Sequence, residues 1–167
     1  MMRRHLLISL ILCVALLTAC TGYNTTIRSS VPAAPVHLEI NTRVGQYVHF
    51  VPENIGTYLV ADPGGIHLNG KTQPLTVTDA YGFAGTVVYI DGFHPYGAYD
   101  LCCPHCVRSD MPCVVDGIYA VCPLCGEQYD LYSGNGIPTR GISKEALRPH
   151  RTNYNVSTGV LFVTRLQ

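Results

Sequence analysis

The chain carries little charge, and what it carries is balanced. Charged residues make up 13 % of its 167 residues, and eleven basic and eleven acidic side chains cancel. No basic stripe breaks that balance, so the electrostatic footprint of a nucleic-acid-binding protein is missing. There is no tryptophan, and the aromatic content is mainly 11 tyrosines, which read as strand-packing residues and not as a stacking platform. No Ser-His-Asp order, Gly-rich phosphate loop or paired-carboxylate site stands out, so substrate-level catalysis is the weakest functional reading. Strands do not alternate with long helical patterns, which argues against a βαβ architecture. Only one apolar run is long, Leu6 to Leu17, and its 12 residues are too few to span a bilayer as a helix.

That run belongs to a targeting segment. Arg3 and Arg4 form a positive n-region, which also resembles a twin-arginine export signal, and Leu17-Thr18-Ala19-Cys20 resembles a bacterial lipobox. The resemblance implies removal of residues 1–19 and acylation of Cys20, whose several acyl chains would anchor the protein to a membrane lipid surface in the cell envelope, outside the cytoplasm. Residues 20–36, rich in Thr, Ser, Asn and Pro, read as lipid anchor and tether, and residues 37–167 as one domain.

Within the domain, strand signals dominate. Val44–Val51 is β-branched, aromatic and partly alternating; Thr57–Val60 is a short apolar run; Leu75–Thr78 alternates strictly. Thr86–Ile90 is almost continuously apolar, as expected of a strand buried on both faces. Tyr96–Leu101 and Gly117–Val121 each lead into a cysteine motif, and Tyr154–Val156 with Val160–Val163 reads as a hairpin around residues 157–159. Only Ser143–Leu147 looks helical, for about one turn, before Pro149 stops it. Many short strands with Gly/Pro turns predict an all-β sandwich or barrel.

The chemistry is concentrated at residues 99–130. Cys103-Pro104-His105-Cys106 and Cys122-Pro123-Leu124-Cys125 are two C-x2-C knuckles with 15 residues between them. A tight turn can bring both sulfurs of a knuckle to one ion, and the intervening hairpin can bring the knuckles face to face. Two ligand sets follow. Four thiolates, Cys103, Cys106, Cys122 and Cys125, suit zinc, a single iron or a [2Fe-2S] cluster. Alternatively His105 replaces Cys106, which would raise the reduction potential of a cluster. The all-thiolate set is preferred because it makes the two knuckles symmetric. Cys102 points away from its neighbour Cys103 in an extended segment and reads as a small apolar core residue. Cys113 is either the same or its disulfide partner, and a metal-free chain with six bridged cysteines is the alternative in an oxidising compartment. Cys-Pro-His-Cys is also a thiol-disulfide exchange motif, but Pro112 breaks any helix that would stabilise its first thiolate.

Tyr99-Asp100-Leu101, a Cys-rich loop, a hairpin, and then Cys122-Pro123-x-Cys125-Gly126 with Tyr129-Asp130-Leu131 resemble the Rieske [2Fe-2S] domain. The tail residues Gly136-Ile137-Pro138, Leu147, Tyr154-x-Val156 and Val160-x-x-Val163 extend the resemblance over roughly residues 38–166. Cys103-x-His105 matches the family's first loop. Cys125 stands where the family has a histidine, and Leu124 and Arg108 stand where respiratory members have a disulfide. The resemblance implies an all-β, Rieske-like sandwich or barrel with a small metal-binding subdomain like rubredoxin or a zinc ribbon. It implies a [2Fe-2S] centre serving electron transfer or redox sensing, with a redox partner protein and no catalysis of its own. The alternative is a zinc or single-iron structural module serving envelope interactions.

Overall fold

The computed structural model describes residues 29–133 and 135–166. The targeting segment and Cys20 lie outside the described residues. In chain order the strands are β1 (Val36–Asn41), β2 (Tyr58–Asp62), β3 (Gly65–Leu68), β4 (Lys71–Gln73), β5 (Ala80–Tyr81), β6 (Thr86–Tyr89), β7 (Gly97–Asp100), β8 (Val114–Asp116), β9 (Tyr119–Val121), β10 (Gln128–Asp130), β11 (Pro138–Arg140), β12 (His150–Asn155) and β13 (Val160–Arg165). They form three antiparallel sheets, ordered β12-β13-β1-β5, β4-β3-β2-β6-β7 and β11-β10-β9-β8. The expected all-β architecture is what the chain adopts, with the third, smaller sheet lying beside the cysteine motifs.

β6 explains how the sheets stack. Its alternate residues serve two different cores. Val88, with Ile90 just beyond the strand, packs with Leu38, Ile40, Phe50, Leu59, Leu161 and Val163 between the first two sheets. Val87 and Tyr89 face the other way, into a cluster with Tyr99, Leu101, Ala120, Tyr129 and Leu131 that joins the second sheet to the third. A strand buried on both faces has no solvent side to mark with polar residues, hence its continuous apolar run. Each such aliphatic side chain contributes about 1.5–3 kcal/mol relative to exposure.

Three local expectations fail for identifiable reasons. Val44–Val51 is not a strand but a 3-10 turn at Gly45–His49. Gly45 turns the chain with φ of +61°, and the side chains buried are Tyr47 and Phe50, three apart, while Val44 and Val48 are 56 % and 45 % exposed. Leu75–Thr78 is a turn: the Asp79 carboxylate accepts the Thr76 N–H at 2.7 Å and leaves Val77 in solvent. The local strand is instead the wholly exposed edge β4. Ser143–Leu147 forms no helix, because its amides bond elsewhere, Ser143 N–H to the Glu127 carboxylate and Leu147 N–H to Gly136 O. The hairpin of β12 and β13 forms as expected.

His150 is buried, and neither ring nitrogen has a hydrogen-bond partner. Burial, reinforced by Arg148, lowers its pKa to about 4. The unfolded chain takes up this proton near pH 6.5 and the folded chain does so only near pH 4, so stability falls as pH drops through that window, by about 3 kcal/mol at most. Urea unfolding at pH 7 and pH 4.5 should show this loss in the parent protein. It should be at least halved in His150→Leu, the difference between the two proteins removing other acid-labile groups from the comparison.

Candidate metal centre

Both knuckles are built by the same backbone device. In the first, Cys106 and Val107 donate their N–H groups to Cys103 O at 3.2 and 2.9 Å, and Val107 is left-handed with φ of +50°. In the second, Gly126 donates to Cys122 O at 2.9 Å and is left-handed with φ of +74°. Glycine takes this conformation freely, whereas a β-branched valine is strained in it. Val107 is held there by packing against Val31 and Cys102. The hairpin β8–β9 separates the knuckles, and β9–β10 carries the second one back, with Cys122 N–H donating to Glu127 O at 2.8 Å.

The turns bring four sulfurs together. Cys103 Sγ lies 3.7 Å from Cys125 Sγ, and Cys106 Sγ lies 3.9 Å from Cys122 Sγ, each pair crossing between knuckles. All four sulfurs lie within 4.8 Å of one another. Cys103 and Cys122 are buried, Cys106 is half-buried and Cys125 is exposed, so one corner of the site meets solvent. His105 is exposed and outside the group. Cys102 and Cys113 are buried free thiols, not bridged to each other. Burial pushes the Cys102 thiol up to about 12 and raises that of Cys113 as well, which suits both to apolar packing.

The surroundings fit negative sulfur. Although burial opposes its ionisation, Cys122 is held below the ordinary thiol range by the backbone N–H groups of Cys125 and Leu124 and by neighbouring cysteines. The fully buried Tyr129 places its hydroxyl 3.3 Å from Cys103 Sγ. With a thiolate there, the O–H donates. Tyr129→Phe keeps the ring and removes that bond, so the metal affinity should fall roughly tenfold or more. Chelator competition checks this, and an unchanged affinity would mean the hydroxyl plays no part in holding the centre.

Two buried carboxylates fix the knuckles, Asp100 within the Tyr99-Asp100-Leu101 segment and Glu127 just after the second knuckle. Asp100, just before the first knuckle, accepts N–H groups from Phe83 at 2.6 Å, Cys102 at 2.9 Å and Ala84 at 3.1 Å. Burial raises its pKa, and these bonds with Arg148 oppose the rise. Glu127, just after the second knuckle, accepts from Ile142 and Ser143, the latter at 3.1 Å. Each carboxylate needs a glycine beside it. A Cβ on Gly82 would lie 2.5 Å from Asp100 Oδ2, and one on Gly141 would lie 2.2 Å from the Glu127 carboxyl carbon.

No protein-family model matches the chain, and no curated protein matches it. Among solved structures it is similar to a chain from the complex of reduced oxygenase and oxidized ferredoxin in carbazole 1,9a-dioxygenase. The identity is 16 % and the TM-score 0.43, over 79 % of this chain and 98 % of that one. A likeness this slight carries no argument about function.

Proposed function

We propose that the chain is an exported, lipid-anchored electron-transfer module whose centre is one metal ion held by Cys103, Cys106, Cys122 and Cys125. The sulfur spacing carries this reading. Ligands about 2.3 Å from a single tetrahedral ion stand about 3.8 Å apart. In the structure the cross-knuckle pairs are 3.7 and 3.9 Å apart, and no pair exceeds 4.8 Å. A two-iron cluster would place its two ligand pairs on the order of 5–6 Å from each other. The spacing therefore supports one ion in place of the [2Fe-2S] cluster expected from the sequence.

Bound iron would supply a one-electron couple here, and bound zinc would supply none. Four thiolates leave no open ligand position, which argues against substrate chemistry at the ion. The exposed Cys125 sulfur offers a partner protein a short path to the centre. Tyr129 and the knuckle amides spread the thiolate charge, and Asp100 and Glu127 keep both turns in place.

A second reading, a zinc clamp with no redox role, is favoured by the size of the third sheet: its four strands have three residues each, too few to hold their pairing unaided. Anchoring through Cys20 rests on the lipobox resemblance and places the domain in the cell envelope.

Metal analysis and a visible spectrum, taken on protein purified without added metal, test the proposal. One iron per chain with reversible absorbance is expected. One colourless zinc would replace electron transfer with the clamp, and two irons with acid-labile sulfide would overturn the one-ion centre.

A further inference from the structure

We infer that the knuckle end of the domain faces the lipid surface and touches it through Leu124 and Ile142. This rests on the proposed anchoring at Cys20 and concerns which end of the domain the anchor presents.

The chain joins the domain beside the first knuckle. Ser30 Oγ donates to Pro104 O at 2.7 Å, and Ser30 N–H donates to the Glu145 carboxylate at 2.9 Å. Val31 is buried against Ala84 and Cys102, and Arg148 donates to Val31 O at 3.0 Å. Eight residues, 21–28, lie between Cys20 and Ser29. At about 3.5 Å per residue this stretch reaches about 30 Å at most. A domain of this length is about 35–40 Å across. The stretch is thus too short to carry the membrane round to the opposite end, and it keeps the metal centre on the near side.

The near side is suited to that contact. Leu124, at the tip of the second knuckle, is 52 % exposed, and Ile142, whose loop is bonded to Glu127, is 75 % exposed. Arg140 and Lys144 flank Ile142 in the sequence and are exposed. Apolar side chains with cations beside them suit an anionic lipid interface. At the other end, β12 and β13 run away from the Arg148–Val31 contact to a turn carrying Val156, 73 % exposed. Six residues of strand put that turn about 20 Å from the start of β12, beside the Arg148–Val31 contact.

The chain has no tryptophan, so Leu124→Trp, Ile142→Trp and Val156→Trp each create a single tryptophan, which can be excited selectively over the tyrosines. The experiment uses full-length, metal-loaded protein purified from membranes and reconstituted into phosphatidylcholine/phosphatidylglycerol vesicles with brominated acyl chains. The emission of Leu124→Trp and Ile142→Trp should fall by roughly half, and that of Val156→Trp should be unchanged. Equal quenching at all three positions, or none at the tip, overturns the inference. If Leu124→Trp weakens metal binding, Ile142→Trp, outside the knuckles, decides alone. Mass spectrometry of the N-terminal peptide separates the two layers. Acylated Cys20 with unquenched tip tryptophans leaves the anchoring standing and removes the orientation, whereas an unmodified Cys20 removes both.

Discussion

A Cys103→Ser/Cys122→Ser protein is expected to purify without bound metal and to lose amide protection across β8, β9 and β10, while β1, β2, β6 and β13 remain protected. The reason is the unequal distribution of apolar burial. The larger core holds fifteen buried apolar residues, eleven of them on strands of the first two sheets. The third sheet contributes from its own strands two buried residues, Ala120 and Tyr129, and the half-buried Val115 to the second cluster, which also contains Cys103, Cys113 and Cys122. A thiolate-bound structural ion contributes about 10–16 kcal/mol at neutral pH, as much as the whole net stability of a typical domain. Without it, the hairpin must be held by a few contacts and short hydrogen-bond ladders. Hydrogen exchange with metal analysis checks this. Full protection of Ala120 and Tyr129 in metal-free protein would show that the sheet stands without the ion.

Asp100→Ala is expected to cost about 4 kcal/mol and to loosen the first knuckle. The substitution removes the acceptor of three backbone N–H groups, those of Phe83, Ala84 and Cys102, and each buried donor left unpaired costs about 1–3 kcal/mol. It also deletes a buried charge that was partly offset by Arg148, which keeps the net loss below the sum of three bonds. Because Cys102 adjoins Cys103, the same change should speed metal release. Asp100→Asn, which keeps one acceptor oxygen, should lose less. Urea unfolding and chelator-induced release on metal-loaded protein measure the two effects, and a loss under about 1 kcal/mol would contradict the role given to this carboxylate.

What the sequence revealed and concealed follows from the range of the interactions. The knuckles were legible because a C-x2-C turn is local and its chemistry is written in adjacent residues. β6 was legible because burial on both faces leaves an uninterrupted apolar run. Val44–Val51 misled because an apolar stretch with partial alternation also fits a 3-10 turn that buries only Tyr47 and Phe50. Leu75–Thr78 misled because the side chain of Asp79, just beyond it, captures the backbone. Asp100 and Glu127 were invisible as site residues. Asp100 bonds loop amides 16 and 17 residues upstream and Glu127 bonds amides 15 and 16 residues downstream, partners that no local pattern around either acid reveals. Ser30 was hidden further still, since Pro104 is 74 residues away. Ion number was also beyond the sequence, because the same four cysteines in two C-x2-C knuckles can serve one metal or two.

X-ray absorption at the metal edge of protein purified without added metal tests the one-ion centre most directly. The account predicts a single shell of four sulfurs at about 2.3 Å and no metal neighbour. A second iron in the scattering, bridged by sulfide, or a nitrogen from His105 in the first shell, would contradict it.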